Sequence, residues 1–199
     1  MLYWLMIAAA STSAVSGALQ AKRKNMDLFG FIFLAFTTTV GGGTIRDVIL
    51  KKYPFWIEQT AYIWVCIFWS VAIFFYYRNH SEIKTRNSFL IADALTLALY
   101  TYAGAEITMS VLGTNIPVII IMSIITGIAG GVLRDILSNE IPICLQKELY
   151  ATPAMAGGIV FVASEYFSHS DMTSMILTVS VVFIFRVISI RYHLHLPEI

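Results

Sequence analysis

Two short strings concentrate the chemistry available to this chain: Gly42-Gly43 with Arg46-Asp47, and Gly130-Gly131 with Arg134-Asp135, each set inside a long apolar run. Glycine is a weak helix former, costing about 1 kcal/mol against alanine in a helix interior, so the run Gly41-Gly42-Gly43 invites a break. A break frees backbone carbonyls that lipid cannot satisfy, and these must then be buried in protein or line a wet cavity. At the C-terminal end of a half-helix such carbonyls carry partial negative charge and suit a dehydrated or partly dehydrated cation. The backbone of Gly41, Gly42 and Gly43 is therefore a candidate monovalent cation site. The same glycines would also serve close helix packing, for which Gly127 and Gly131 form a GxxxG pattern.

A charged side chain at the bilayer centre costs about 2.5–3.5 kcal/mol on insertion scales and normally faces the bundle interior beside a partner. Neighbouring helix residues point about 100° apart, which predicts that Arg46 and Asp47 do not pair with each other. A crossed arrangement, Arg46 with Asp135 and Arg134 with Asp47, would satisfy all four. The alternative places each pair at a membrane interface, its arginine snorkelling to water. Thr38, Gly42 and Arg46 are spaced four apart, as are Thr126, Gly130 and Arg134, so a polar stripe runs down each segment. Asp93, Thr96, Tyr100 and Gly104 share a face on a helical period. On a wet face the Asp93 carboxylate would concentrate cations; it could equally be the structural partner of Arg46, Arg134 or Arg186. The candidate ion pathway is thus Thr38, Gly41, Gly42, Gly43, Arg46, Asp47, Asp93, Thr96, Tyr100, Thr126, Gly130, Gly131, Arg134 and Asp135.

The elements that must position these residues follow from composition. The 199 residues are 58% hydrophobic and 13% charged, too apolar for a soluble domain. Apolar stretches at 2–21, 28–50, 58–77, 88–111, 117–138, 148–167 and 172–190 predict seven transmembrane helices in an all-α polytopic protein, leaving no room for a soluble catalytic domain. Lys22, Arg23, Lys24, Arg78, Lys84, Arg86, Lys147 and Arg191 fall on one side, and only Lys51 and Lys52 on the other. The positive-inside rule then puts the N-terminus outside and the C-terminus in the cytoplasm. A formal charge of +1 offers nothing to a nucleic acid.

Compared with itself, the chain repeats. Thr38, Gly42, Gly43, Arg46, Asp47, Pro54 and Tyr62 recur as Thr126, Gly130, Gly131, Arg134, Asp135, Pro142 and Tyr150, all at an offset of 88 residues. The offset carries the second span onto the fifth, and an odd number of crossings reverses direction. One membrane domain over 1–199 is expected, with repeat 1 at about 1–80, repeat 2 at about 86–168 and an extra helix at about 171–192. An inverted 3+3 repeat of this kind places the functional path at the repeat interface.

The doubled GG-x-x-R-D motif, the layout of three, three and one spans and the chain length resemble the trimeric intracellular cation (TRIC) channels, in particular their prokaryotic members. Bacterial sequences of this type have also been labelled a glycine-transporter-like domain. The resemblance implies a homotrimer with one ion path in each protomer and glycine-kinked second and fifth helices. It also implies conduction of monovalent cations, potassium or sodium, favouring potassium. The Lys-Glu-Val triplet of the animal channels is absent. The expected setting is the inner (plasma) membrane, with lipids and further copies of the chain as partners and no cofactor. The competing function is a secondary transporter of a small amino acid such as glycine. No Walker A loop, HExxH or GxSxG occurs, and His80, His169, His193 and His195, in loops or the tail, do not make a metal set.

Overall fold

A computed structural model describes residues 1–80, 85–146, 149–167 and 170–195; Lys84, Lys147, His169 and the C-terminal end lie outside the described residues. Helices form wherever the apolar runs stand, within three residues of each expected boundary. They are α1 (Leu2–Arg23), α2 (Leu28–Ile49), α3 (Phe55–Glu58), α4 (Ala61–Asn79), α5 (Arg86–Leu112), α6 (Ile116–Leu137), α7 (Ala151–Tyr166) and α8 (Asp171–Tyr192). A short 3-10 turn occupies Ile143–Leu145. Six of the helices, all but α3 and α7, are long and apolar enough to cross a membrane. Sequence reasoning had no place for the four residues of α3, which begin after Pro54.

Polar residues end the helices. Asp27 accepts the amide of Gly30 at 2.8 Å and so caps α2. The basic triplet at Lys22, Arg23 and Lys24 meets the negative end of the α1 dipole. Asn25, Lys51 and Asn139 take left-handed φ angles of 53°, 56° and 55° just past α1, α2 and α6. The next amide in each case returns to the last helical turn: Met26 to Ala21, Lys52 to Asp47 and Glu140 to Asp135.

The core is apolar, but it also encloses charges, and the surface is apolar too. The largest buried side chains include Arg46, Arg134 and Arg186, while Trp64, Phe68, Ile121 and Ile184 are exposed. Buried arginines with exposed aromatics suit lipid, where polar groups must find partners inside the bundle. Helix α5 is central, with 72% of its membrane window buried against 28% for α4 and for α8. Small residues let the helices meet: a Cβ on Gly17 would stand 2.6 Å from Ala35 Cα, so α1 and α2 touch backbone to backbone. Leu149, just before α7, is held to α8 and the residues after it. The Leu149 carbonyl accepts from Arg186 at 2.8 Å and Ser189 at 3.2 Å, and its amide donates to Leu194 at 3.1 Å.

Candidate functional site

Helices α2 and α6 cross at their glycines. A Cβ on Gly42 would overlap the carbonyl oxygen of Thr126, and a Cβ on Gly130 would overlap that of Thr38. With Gly42 facing Thr126 and Gly130 facing Thr38, the two helices run antiparallel through the crossing. Neither is broken: α2 is continuous from Leu28 to Ile49 and α6 from Ile116 to Leu137. The expected break, and with it a cation on freed carbonyls of Gly41, Gly42 and Gly43, is thereby corrected. The glycines are spent on approach distance, because any side chain at Gly42 or Gly130 would push the helices apart. Gly41 faces Leu133 instead.

Beside the crossing lies a narrow cavity of about 10 Å³, lined by Thr38, Thr39, Gly42, Gly43, Thr96, Tyr100, Thr126, Gly127, Gly130 and Gly131. Eight of the residues picked from the sequence therefore meet at one point, contributed by α2, α5 and α6. A cavity needs roughly 10–15 Å³ to hold one water, so this neck admits about one. Tyr100 lines it, its hydroxyl donating to the Thr39 carbonyl at 2.9 Å. The threonine hydroxyls turn back on their own helices, Thr38 to Leu34 at 2.5 Å and Thr126 to Met122 at 2.6 Å. Thr39 and Gly127 were missed as lining residues. Thr39 stood in the Thr37–Thr39 run, and Gly127 had been read only as a packing glycine.

The charged pairs differ from expectation. Arg46 Nε donates to Asp47 Oδ1 at 2.8 Å, and Arg134 Nε to Asp135 Oδ1 at 2.8 Å. The long arginine side chain curls round to its neighbour, so the angle between adjacent Cβ directions does not forbid the pair. Crossed pairs fail on distance: in the antiparallel register Arg46 is level with Met122, and Asp135 lies thirteen residues further along α6, roughly 20 Å away. Snorkelling fails as well, since Arg46 is 1% and Arg134 0% exposed. The second oxygen of each aspartate accepts an amide eight residues ahead, Asp47 from Phe55 at 2.9 Å and Asp135 from Ile143 at 3.0 Å. The Arg-Asp-x6-Pro spacing is thus a device that closes each helix end onto the residue after its proline.

The two pairs are not equally held. Arg134 NH1 also donates to Asp93 at 2.5 Å and to Ser16 at 2.7 Å, and its guanidinium lies 4.6 Å from the Phe89 ring centre. Of the two readings of Asp93, the structure shows the ion pair. Among the described residues, Arg46 Nη1 has no hydrogen-bond partner. Arg46, Asp47, Asp93, Arg134 and Asp135 all lie outside the neck lining. Below the Arg134 cluster a cavity of about 270 Å³ opens among Gln20, Arg23, Phe89, Asp135, Glu140 and Ile143. No motif marked Gln20 or Glu140 in the sequence. Among the described residues, no three His, Cys, Asp or Glu side chains gather as a metal would require.

Comparison with known proteins gives a consistent result. A family model described as Glycine transporter matches residues 3–78 and 90–166. The UPF0126 membrane protein of Vibrio cholerae serotype O1 is 36% identical, over 99% of this chain and 82% of its own length. The UPF0126 inner membrane protein YadS of Escherichia coli K12 is 34% identical, over 99% and 95%. Among solved structures, the TRIC channel orthologue from Rhodobacter sphaeroides superposes with a TM-score of 0.90 at 35% identity, covering 97% of this chain and 98% of that one. A prokaryotic TRIC channel solved in 0.5 M KCl gives 0.89 at 31% identity, covering 98% of each.

Proposed function

This chain belongs to the family of the prokaryotic TRIC channels, whose sequence model is described as Glycine transporter, and from that membership we propose that it is a passive monovalent cation channel preferring potassium. Three copies form a homotrimer, with one ion path inside each protomer. The observation that carries the reading is the neck: polar faces of α2, α5 and α6 converge there between two glycines that each admit the other helix's carbonyl. The path runs from the neck past the Arg134 cluster to the larger cavity. Potassium or sodium is the permeant species, no cofactor is needed, and the partners are lipids and the other protomers.

The architecture proposed is seven spans. Helix α7, with 16 residues, is about 24 Å long, and it is counted as a span because it packs between α6 and α8. The inverted repeat is supported by geometry that recurs at the offset of 88: the Arg-Asp pairs, the two capped amides, the left-handed residues Lys51 and Asn139, and the reciprocal glycine contacts. Repeat 1 spans about 1–80, repeat 2 about 86–168, and α8 stands outside both. The N-terminus lies outside and the C-terminus in the cytoplasm, in an inner membrane like that named for the Escherichia coli relative. Glycine carriage is disfavoured, because unbroken α2 and α6 offer no half-helix N-terminus to hold a carboxylate.

Purified protein in planar bilayers tests the proposal. Unitary current steps in symmetric potassium chloride are expected, with a reversal potential near the potassium equilibrium value under a gradient. Exchange of radiolabelled glycine without current steps would overturn it.

A further inference from the structure

Helix α1 and the end of α6 are joined by a ladder of side chains. Ser16, Gln20 and Lys24 lie four residues apart on one face of α1 and at its cap. Ser16 Oγ accepts from Arg134 NH1 at 2.7 Å, Gln20 Nε2 donates to Ser138 Oγ at 3.0 Å, and Lys24 Nζ stands 2.6 Å from Glu140 Oε1. The middle rung is extended at both ends, Arg23 donating to Gln20 at 2.8 Å and Ser138 to the Asp135 carbonyl at 3.0 Å. Ser16, Gln20, Arg134 and Ser138 are buried, whereas the Lys24–Glu140 rung faces water. Gln20, Asp135 and Glu140 line the 270 Å³ cavity, so the ladder forms a wall of that mouth.

Among the described residues, the positions equivalent by the repeat do not form such a ladder. Adding 88 to Ser16, Gln20 and Lys24 gives Gly104, Thr108 and Leu112; subtracting it from Ser138 and Glu140 gives Leu50 and Lys52. Gly104 has no side chain to offer, Thr108 donates to the Gly104 carbonyl of its own helix at 2.6 Å, and Arg46 Nη1, the counterpart of the nitrogen that meets Ser16, has no hydrogen-bond partner among the described residues. Two halves that match in their glycines, arginines and aspartates differ in this set of contacts.

We propose that the Ser16–Arg134, Gln20–Ser138 and Lys24–Glu140 contacts are a latch on the mouth at the α1 and α6 C-termini. The mouth widens when the end of α6, with the residues following it, parts from α1, and the opposite mouth carries no such latch. The proposal rests on the cation-channel reading. The water-facing ion pair is its adjustable rung, because exposed pairs are weak and screened by salt. Breaking it shifts the opening equilibrium modestly, while the buried middle rung has the larger effect.

The test uses the full chain reconstituted in bilayers. Glu140→Lys or Lys24→Glu should raise open probability about two- to five-fold, Gln20→Leu about three- to ten-fold, and the double exchange Lys24→Glu with Glu140→Lys should restore the original value. Unitary conductance separates latching from surface charge. Glu140→Lys lowers conductance by removing a cation-attracting carboxylate, while raising the fraction of time open. In parallel, hydrogen exchange should show the amides of Asn139 and Glu140 less protected in Glu140→Lys and recovered in the double exchange. If the original protein conducts and neither open probability nor exchange responds to any of these substitutions, the latch is wrong and the channel reading survives. If the original protein carries no current, the channel reading fails and the latch falls with it. Should Glu140→Lys not assemble, Gln20→Leu and the double exchange decide the outcome.

Discussion

Arg134 Nη1 donates to Asp93 Oδ1 at 2.5 Å, binding the last turn of α6 to the N-terminal third of α5. The residue that stands to Arg46 as Asp93 stands to Arg134, 88 positions earlier, is Leu5. Arg134 therefore has a carboxylate from another helix, whereas the carboxylate on Arg46 is that of its chain neighbour Asp47.

The contact should carry stability. Removing one partner of a buried pair costs about 3–5 kcal/mol, so Asp93→Ala is expected to lower the thermal unfolding midpoint of the detergent-solubilised protein steeply. Arg134→Met combined with Asp93→Ala should be milder than the sum of the two, with a coupling of about 0.5–3 kcal/mol. Additive effects would mean that the pair does not hold α5 to α6.

The crossing glycines differ sharply in what they tolerate. Gly42→Ala and Gly130→Ala each drive a methyl into a backbone carbonyl that cannot turn away, an overpacking worth more than about 2 kcal/mol. Gly41→Ala meets only the end of the Leu133 side chain, which can rotate. Thermal unfolding of the three variants should therefore separate the first two from the third.

Tyr100→Phe removes the hydroxyl that crosses the neck to the Thr39 carbonyl. We expect open probability to rise, since the closed arrangement loses a bond of about 0.5–1.5 kcal/mol, with selectivity unchanged. Unaltered gating in single-channel records would remove Tyr100 from the closed neck.

Lys24, through its hydrogen bond and charge, holds the Glu140 carboxyl below the ordinary glutamate range. A depressed pKa means that the rung is complete above the unpaired value and is lost as pH falls through the lowered one. Acidification should leave gating unchanged until the pH falls below the ordinary glutamate range, and opening should increase only there. Glu140→Gln should abolish that acid step.

Much of this was legible in the residues. Apolar runs located the helices because lipid demands unbroken backbone hydrogen bonding, and the doubled motif brought Thr38, Gly42, Thr126 and Gly130 to one point. What misled was local geometry. Glycine propensity argues for a break only where nothing rewards a missing Cβ, and here a second helix occupies that space. Cβ directions argued against Arg46 pairing with Asp47, yet an arginine reaches past its own Cβ. Gln20–Ser138 and Lys24–Glu140 were invisible for another reason: they join positions more than one hundred residues apart, with no repeat to advertise them.

The hydrogen bonds at Leu149 impose an order on synthesis. Its amide and carbonyl are both satisfied by residues 37 to 45 positions later, on and just after α8. At a translation rate of roughly 5–20 residues per second, Leu149 waits some seconds after its own emergence before its partners exist. The entry to α7 is consequently completed later than the Ser16–Arg134, Gln20–Ser138 and Lys24–Glu140 contacts, whose partners all precede it, and a nascent chain halted before α8 should stay open to protease at Leu149.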